Sequence, residues 1–307
     1  MKKLKNILGS KWFQLAFSAL LIYVAFRKVN VVQLFNEIQQ APWWVVIALL
    51  GYFGISMIIG GFRWSVLVLD KVKFSDVLSF TRATYAGSFY SLFFPSSVGG
   101  DLLKWTALLK KYPHISKLKL AGSVLIDRVI GFSAFSVMAI IALSVGKILK
   151  YQFPEILFWT FLGINIGLII FYILVFSLDF EKIFGRFKFL SKLLEIVDLL
   201  KNSNKKRILI CFLISLFAEP VWMMMTWFSS LTFKANIKLL HVFIFMPIIS
   251  LILVLPISWA GFGARENLFL VFFGQLGIPV EKLLLVSAFA GIMGILNALL
   301  GGLILLF

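Results

Sequence analysis

The sequence predicts an all-α polytopic membrane protein with about six full spans and two re-entrant or broken helical hairpins in inverted repeats. Two observations carry this prediction. Apolar residues make up 61% of the 307-residue chain and charged residues only 14%, far less charge than soluble domains carry. Long apolar stretches also recur along the whole chain. No sizeable soluble domain fits between them, so residues 1–307 are expected to form one transmembrane domain, with pseudo-halves at about 1–150 and 151–307.

Six apolar stretches are long enough to be full spans. They cover residues 12–26, 42–62, 120–146, 156–178, 207–231 and 281–306. The first follows a basic start like that of a signal peptide, but no small-residue cleavage site comes after it, so we expect a retained span. Two further stretches, 77–110 and 240–275, are apolar but interrupted. They fit re-entrant hairpins or discontinuous helices, and whether they cross fully is left open.

The distribution of basic residues predicts the orientation. If the N-terminus is cytoplasmic and both interrupted stretches return to the side they entered, 21 of the 30 Lys and Arg residues face the cytoplasm and seven face outward. This bias follows the positive-inside rule. It places both termini on the inner side of the cytoplasmic membrane, and the two hairpins then enter from opposite faces. If both stretches cross fully, there are eight spans and the bias is weaker. The net charge of +17 is thus assigned to lipid headgroups rather than to nucleic acid.

The longest polar segment between spans, 179–206, contains an amphipathic pattern. Apolar residues recur at near-helical spacing over 182–201, with charged residues between them. The pattern fits a helix lying on the inner membrane surface. It fits equally a short helix that packs on its own bundle.

The two interruptions share one pattern. Each apolar run is stopped by Pro, opened by Ser and Gly, and closed by an acidic residue that starts a new helical run. A helix N-terminus suits a phosphate or carboxylate, and Gly lets the backbone approach that group closely. A matching pair of breaks is typical of a transporter's central site. The predicted substrate-binding residues are Ser96, Ser97, Gly99, Gly100, Asp101, Asp127, Arg128, Ser258, Gly261, Gly263, Arg265 and Glu266.

Ionisable residues at membrane depth usually serve function. Neighbours on a helix point about 100° apart, so adjacent opposite charges do not simply neutralise each other. Each is expected to find a partner elsewhere in the bundle, and Asp101 with Arg265 or Arg128 is the first pairing to test. Three basic residues near the ends of apolar runs can snorkel, namely Arg63, Arg82 and Lys104. The alternative is a buried polar latch without a substrate, and Glu219 beside Pro220 fits either role.

No catalytic constellation stands out. His114 and His241 are placed in different loops without the spacing of metal ligands. No metalloprotease or nucleophile-elbow motif occurs. We therefore expect no catalytic residue, no metal and no cofactor.

Three blocks carry a family resemblance. They are Ser88-Phe89-Tyr90-x-x-Phe93-Phe94-Pro95-Ser96-Ser97-Val98-Gly99-Gly100-Asp101, then Asp127-Arg128-x-x-Gly131, then Pro256-x-Ser258-x-x-Gly261-x-Gly263-x-Arg265-Glu266. In this order they resemble the flippase-like membrane region of lysylphosphatidylglycerol synthases, over nearly the whole chain. In two-part synthases that region precedes a soluble domain that transfers lysine from tRNA to phosphatidylglycerol. The sequence to Phe307 resembles the membrane region alone, so the resemblance leads us to expect a translocation module without the transferase domain.

The expected function is a membrane lipid translocase. Its cargo would be a phospholipid such as an aminoacylated phosphatidylglycerol, or a lipid-linked sugar, moved across the cytoplasmic membrane. The alternative is a membrane enzyme or an accessory subunit in lipid aminoacylation or lipid-linked glycan synthesis. The expected partners are membrane lipid and a separate synthase, without nucleic acid.

Overall fold

The computed structural model describes residues 19–20, 22–24, 31–93, 100–180, 182, 191–255, 258 and 261–304. This part of the chain is helical and contains no strand. Its elements are α1 Val31–Gln39, α2 Trp43–Val68, α3 Phe74–Ser91, a 3-10 helix Asp101–Leu108, α4 Lys117–Ile148, α5 Glu155–Ser177, α6 Ser191–Lys201, α7 Lys205–Thr232, α8 Leu239–Leu253, α9 Ala264–Gly274 and α10 Val280–Ile304.

Five of these helices are long and apolar enough to cross a membrane. They are α2, α4, α5, α7 and α10, each with a mean hydropathy of 2.1 to 2.3 over its best window. They confirm five of the six predicted full spans, and the chain is a multi-pass all-α membrane protein. Most of the sixth, 12–26, lies outside the described residues. The identity of the membrane and the side of each terminus stay predictions.

Both predicted interruptions separate helices. The first falls between the end of α3 at Ser91 and the 3-10 helix that begins at Asp101, and the second between Leu253 and Ala264. The first new run is a 3-10 helix rather than the α-helical half expected. Whether either hairpin is re-entrant, and whether the two form an inverted repeat, stay predictions.

The sequence missed α1, a nine-residue amphipathic helix that packs against α10. It predicted α6 as part of the 182–201 pattern. The apolar side of α6 contributes Leu200, which is buried with Ile126 and Ile130 of α4, and α6 also contacts α5. This helix therefore packs on its own bundle, as one of the two alternatives stated.

The helices belong to two compact units, each discontinuous in sequence. The first unit consists of Met1–Met57, Thr84–Lys104 and Pro220–Phe307, and the second of Ile58–Ala83 and Trp105–Glu219. Three α-helices (α2, α3 and α7) and the 3-10 helix contribute to both. The expected single domain with halves at 1–150 and 151–307 stays a prediction.

The first unit has a core of aromatic and flexible apolar side chains. Phe53 of α2, Met225 of α7 and Phe289 and Met293 of α10 pack in one buried cluster. The helices α3 and α10 also approach closely, because a Cβ at Gly301 would overlap the carbonyl of Tyr85. This glycine gives the backbone of α3 room to lie against α10.

The second unit is packed around Trp64. Its ring meets Phe80 edge-on at 4.8 Å, and its indole N–H donates to the Ser123 hydroxyl of α4 at 2.8 Å. A Cβ at Gly61 would lie 2.6 Å from the backbone nitrogen of Thr81. The contact between α2 and α3 therefore requires glycine at this position.

Replacing Gly61 by alanine is expected to destabilise the protein by about 1–3 kcal/mol, because the methyl group meets backbone atoms that cannot turn away. The measurement is the thermal midpoint of the purified protein in detergent. Gly163→Ala is the matched control, since both glycines lie inside spans and nothing lies within 4 Å of a Cβ at Gly163. Equal midpoints for the two variants would contradict the packing described here.

Candidate functional site

A buried ion pair lies inside the spans of the second unit. Arg63 of α2 donates from Nε to Asp127 Oδ1 at 2.7 Å and from Nη2 to Oδ2 at 2.9 Å. Its Nη1 donates to the Ser215 hydroxyl of α7 at 3.0 Å. The side chains of Arg63 and Asp127 are 12% and 2% exposed. Two parallel hydrogen bonds form the strong bidentate geometry, so the pair joins α2 to α4.

A glycine makes room for this pair. Gly131 follows Asp127 by one helical turn, on the same face of α4. A Cβ at Gly131 would lie 3.3 Å from Arg63 Nη1. The guanidinium therefore packs on the bare backbone of α4 while its two N–H groups reach the carboxylate.

A second acid, Glu219, lies beside Arg63. Glu219 Oε1 is 3.9 Å from Arg63 Nη1, and the charge of Arg128 also acts on Glu219. Because Pro220 has no N–H, it removes the helical donor for the carbonyl of Leu216, which adds polarity there. The result is a charged cluster of Arg63, Asp127 and Glu219 within the spans.

The side chain of Arg128 points away from the core. It is exposed and borders a groove of about 320 Å³ whose other lining residues are apolar: Val129, Phe132, Leu168 and Phe171. A cation beside an apolar groove makes this face a candidate contact for a lipid headgroup.

In the first unit, Glu266 caps the helix that follows the second interruption. Gly263 precedes α9 with a φ of +76°, a conformation that favours glycine. Its N–H donates to Glu266 Oε2 at 2.7 Å, and the Ser287 hydroxyl of α10 donates to Oε1 at 3.3 Å. The buried Glu266 carboxylate thus satisfies a donor of the N-terminal turn.

The neighbouring Arg265 lies between two glycines. A Cβ at Gly291 of α10 would overlap Arg265 Nη1, and a Cβ at Gly261 would lie 3.4 Å from Nη2. The guanidinium carbon is 6.0 Å from the centre of the Phe262 ring, which is within reach of a weak cation–π contact. Gly261 has a φ of +81°, so it also supplies the backbone turn.

Comparison with known proteins identifies the family. A family model described as the lysylphosphatidylglycerol synthase TM region matches residues 11–301. The chain belongs to this family. Searches of curated proteins and of solved structures find no match.

The structure gives a role to two of the three sequence blocks of this lysylphosphatidylglycerol synthase TM chain. Asp127-x-x-x-Gly131 holds Arg63, and Gly261-x-Gly263-x-Arg265-Glu266 combines a helix cap with a seated arginine. In the first block, Ser96, Ser97 and Gly99 lie outside the described residues. A Cβ at Gly100 would overlap the backbone of Ser91 and Tyr90.

Two predicted site residues remain, Ser258 and Asp101. Ser258 is buried. The backbone of Asp101 begins the 3-10 helix, but its side chain lies outside the described residues. Its pairing with Arg265 or Arg128 therefore stays a prediction. Substrate binding by the whole predicted set also stays a prediction.

Contrary to the expectation, Arg63 and Lys104 do not extend to the ends of their apolar runs to snorkel. Arg63 was placed at the end of a run because the predicted span stopped at 62, whereas α2 continues to Val68. Lys104 is only 4% exposed. The mostly apolar residues from Trp64 to Val68 are the sequence signal that would have placed Arg63 inside a span. Arg82 is exposed, in keeping with the prediction.

The structure also bears on metal binding. His241 lies in the first turn of α8, stacked on Phe245, and not in a loop as expected. Among the residues that the structure describes, no group of three or more His, Cys, Asp or Glu side chains is close enough to hold a metal ion.

Replacing Asp127 by alanine leaves the buried Arg63 without its carboxylate and is expected to cost about 3–5 kcal/mol. The double variant Arg63→Met, Asp127→Leu should recover most of that loss, because an apolar pair needs no dehydrated charge. Thermal unfolding in detergent measures both.

The control for this prediction is an exposed pair. Glu155 accepts from Lys147 at 3.2 Å with its side chain 72% exposed, so Glu155→Gln should change stability by less than about 1 kcal/mol. If Asp127→Ala were as mild as Glu155→Gln, the buried pair would not stabilise the fold.

Proposed function

We propose that this chain moves a lipid with a phosphate-bearing headgroup across the membrane, as a translocase for a phospholipid such as an aminoacylated phosphatidylglycerol or for a lipid-linked sugar. Membership of the lysylphosphatidylglycerol synthase TM family supports a role in membrane lipid handling. The observation that carries the proposal is Arg265, a cation seated between glycines where an apolar segment is broken.

The chemistry of the second break favours Arg265 as the phosphate contact. A helix N-terminus is a ready anion site, but here the Glu266 carboxylate already accepts from the Gly263 N–H. The guanidinium of Arg265 presents several donors suited to bidentate phosphate binding. We therefore assign the phosphate to Arg265 and the capping role to Glu266.

The cluster in the second unit supports a division of labour. Asp127 is engaged by Arg63 through two hydrogen bonds, so we assign it to positioning. Arg128 borders an apolar groove, and such a groove suits acyl chains beside a headgroup. Arg128 is accordingly the second contact that we assign to a lipid phosphate.

Liposomes containing the purified protein and a fluorescent phospholipid test this proposal. Wild type should speed the exchange of lipid between leaflets, read as the fraction that an impermeant quencher reaches. Arg128→Ala with Arg265→Ala should reduce the rate at least tenfold, because the lipid phosphate loses both of the cations assigned to it. Wild-type exchange in this double variant would remove both residues from the mechanism.

A pair of glycine variants tests Arg265 without deleting it. In Gly291→Ala the new methyl group displaces the end of a flexible side chain, so the fold should persist while the guanidinium shifts. Gly294→Ala is the control, since a Cβ there meets nothing within 4 Å. Lipid exchange should fall several-fold in the first variant and stay near wild type in the second. Equal rates would contradict a role for the seated arginine.

The same assay separates the alternatives. No exchange by the wild-type protein would favour an accessory subunit of a synthase. Chemical conversion of the headgroup by the purified chain would favour a membrane enzyme.

A further inference from the structure

A polar pocket of about 350 Å³ lies in the second unit, apart from the charged cluster. It is formed where four helices begin or end: the last turn of α2, the first turns of α4 and α7, and the turn after α6. Its lining residues include Leu67, Val68, Asp70, Lys119, Ile126 and Arg207. None of them belongs to the predicted substrate-binding set.

The rim of the pocket is rich in donors. Lys119 and Arg207 contribute cationic groups, and Asn202 and Asn204 contribute amides. Asp70 is the acid on the rim, and Arg207 donates to it. That hydrogen bond lowers the pKa of the Asp70 carboxyl, and the charge of Lys119 acts in the same direction. Both cations line the same pocket as Asp70, so an anion in the pocket is attracted by both.

The ion pair across the rim is weak enough to exchange. The side chain of Asp70 is 91% exposed, and exposed pairs contribute little because water competes for both charges. A phosphate can therefore replace Asp70 as the partner of Arg207 at low cost. Asp70 already faces solvent and stays hydrated without Arg207.

The wall of the pocket has a different character. Leu67, Val68 and Ile126 are buried apolar side chains. The pocket thus combines a cationic rim with an apolar wall at the ends of spans. Lipid phosphates lie at this level of a bilayer, and basic pockets between spans bind anionic headgroups.

We infer that this pocket binds a phosphate group, supplied by the headgroup of an anionic phospholipid or by a free phosphate ion, through Lys119 and Arg207. The site stabilises the ends of α2, α4 and α7 against one another. It does not depend on the function proposed above, because a lipid bound here need not be the one transported.

The test is the thermal midpoint of the full chain in detergent during a titration with phosphatidylglycerol or with phosphatidylethanolamine of the same acyl chains. Phosphatidylglycerol should raise the midpoint saturably. The apparent affinity for phosphatidylethanolamine should be at least fivefold lower. Lys119→Gln with Arg207→Gln should weaken the apparent affinity for phosphatidylglycerol about tenfold.

The matched control is Lys205→Gln with Lys206→Gln. It removes two positive charges, as the test variant does, and both come from the turn of α7 that contains Arg207, but neither side chain lines the pocket. Its affinity should stay within twofold of wild type. An equal loss in both double variants would show general attraction to basic residues and would overturn the site.

A third variant covers the case in which the double variant fails to fold. Asp70→Asn keeps the size of an exposed side chain and releases Arg207, so it should bind phosphatidylglycerol two- to fivefold more tightly. Unchanged or weaker binding in Asp70→Asn would contradict the exchange described here.

Inorganic phosphate distinguishes the two sources. If the lipid headgroup is the ligand, millimolar phosphate should not replace the effect of phosphatidylglycerol. If the free ion is the ligand, phosphate alone should raise the midpoint, and Lys119→Gln with Arg207→Gln should abolish that rise. Absence of any rise with both ligands would overturn the inference.

Discussion

The dehydration of charged side chains inside apolar spans is the constraint on which this structure depends. Burial costs several kcal/mol per ion, and attraction offsets it only when the geometry is good and the remaining donors are satisfied. Arg63 meets these conditions through the Asp127 carboxylate and the Ser215 hydroxyl. Gly131 lets the guanidinium approach closely enough to make these bonds. The packing of α2, α4 and α7 is therefore tied to one hydrogen-bonded network.

Each unit contains an arginine that packs against glycine. Arg63 packs on Gly131 of α4, and Arg265 packs between Gly261 and Gly291. In both cases a missing Cβ leaves room for a planar guanidinium beside the backbone. Glycine in these family blocks thus supplies space for a side chain, and at Gly261 and Gly263 it also supplies a positive φ. The two acids differ in role, since Asp127 pairs with Arg63 whereas Glu266 caps α9.

Much of the fold could be predicted from the sequence, because apolar runs of spanning length report helices directly. The breaks could also be predicted, since Pro and Gly interrupt apolar runs visibly. The expectation that Asp127 finds a partner outside its own helix is confirmed by Arg63. The sequence could not identify Arg63 as that partner. Helical periodicity shows which residues share one face of a helix, but not which face of a neighbouring helix packs against it. Glu266 was predicted as part of a binding site, yet its hydrogen bonds depend on a loop conformation that composition does not determine.

The most direct test of the account is to locate the lipid headgroup on the protein. Phosphatidylglycerol with a photoreactive headgroup is reconstituted with the chain, irradiated, and the adducts are mapped by mass spectrometry. The account predicts adducts near Arg265, between residues 258 and 266 or at Gly291, and their loss in Arg265→Ala. The opposite result would be adducts only on exposed side chains such as Ile166 and Ile170 of α5, unchanged in Arg265→Ala. That result would contradict a headgroup site at Arg265.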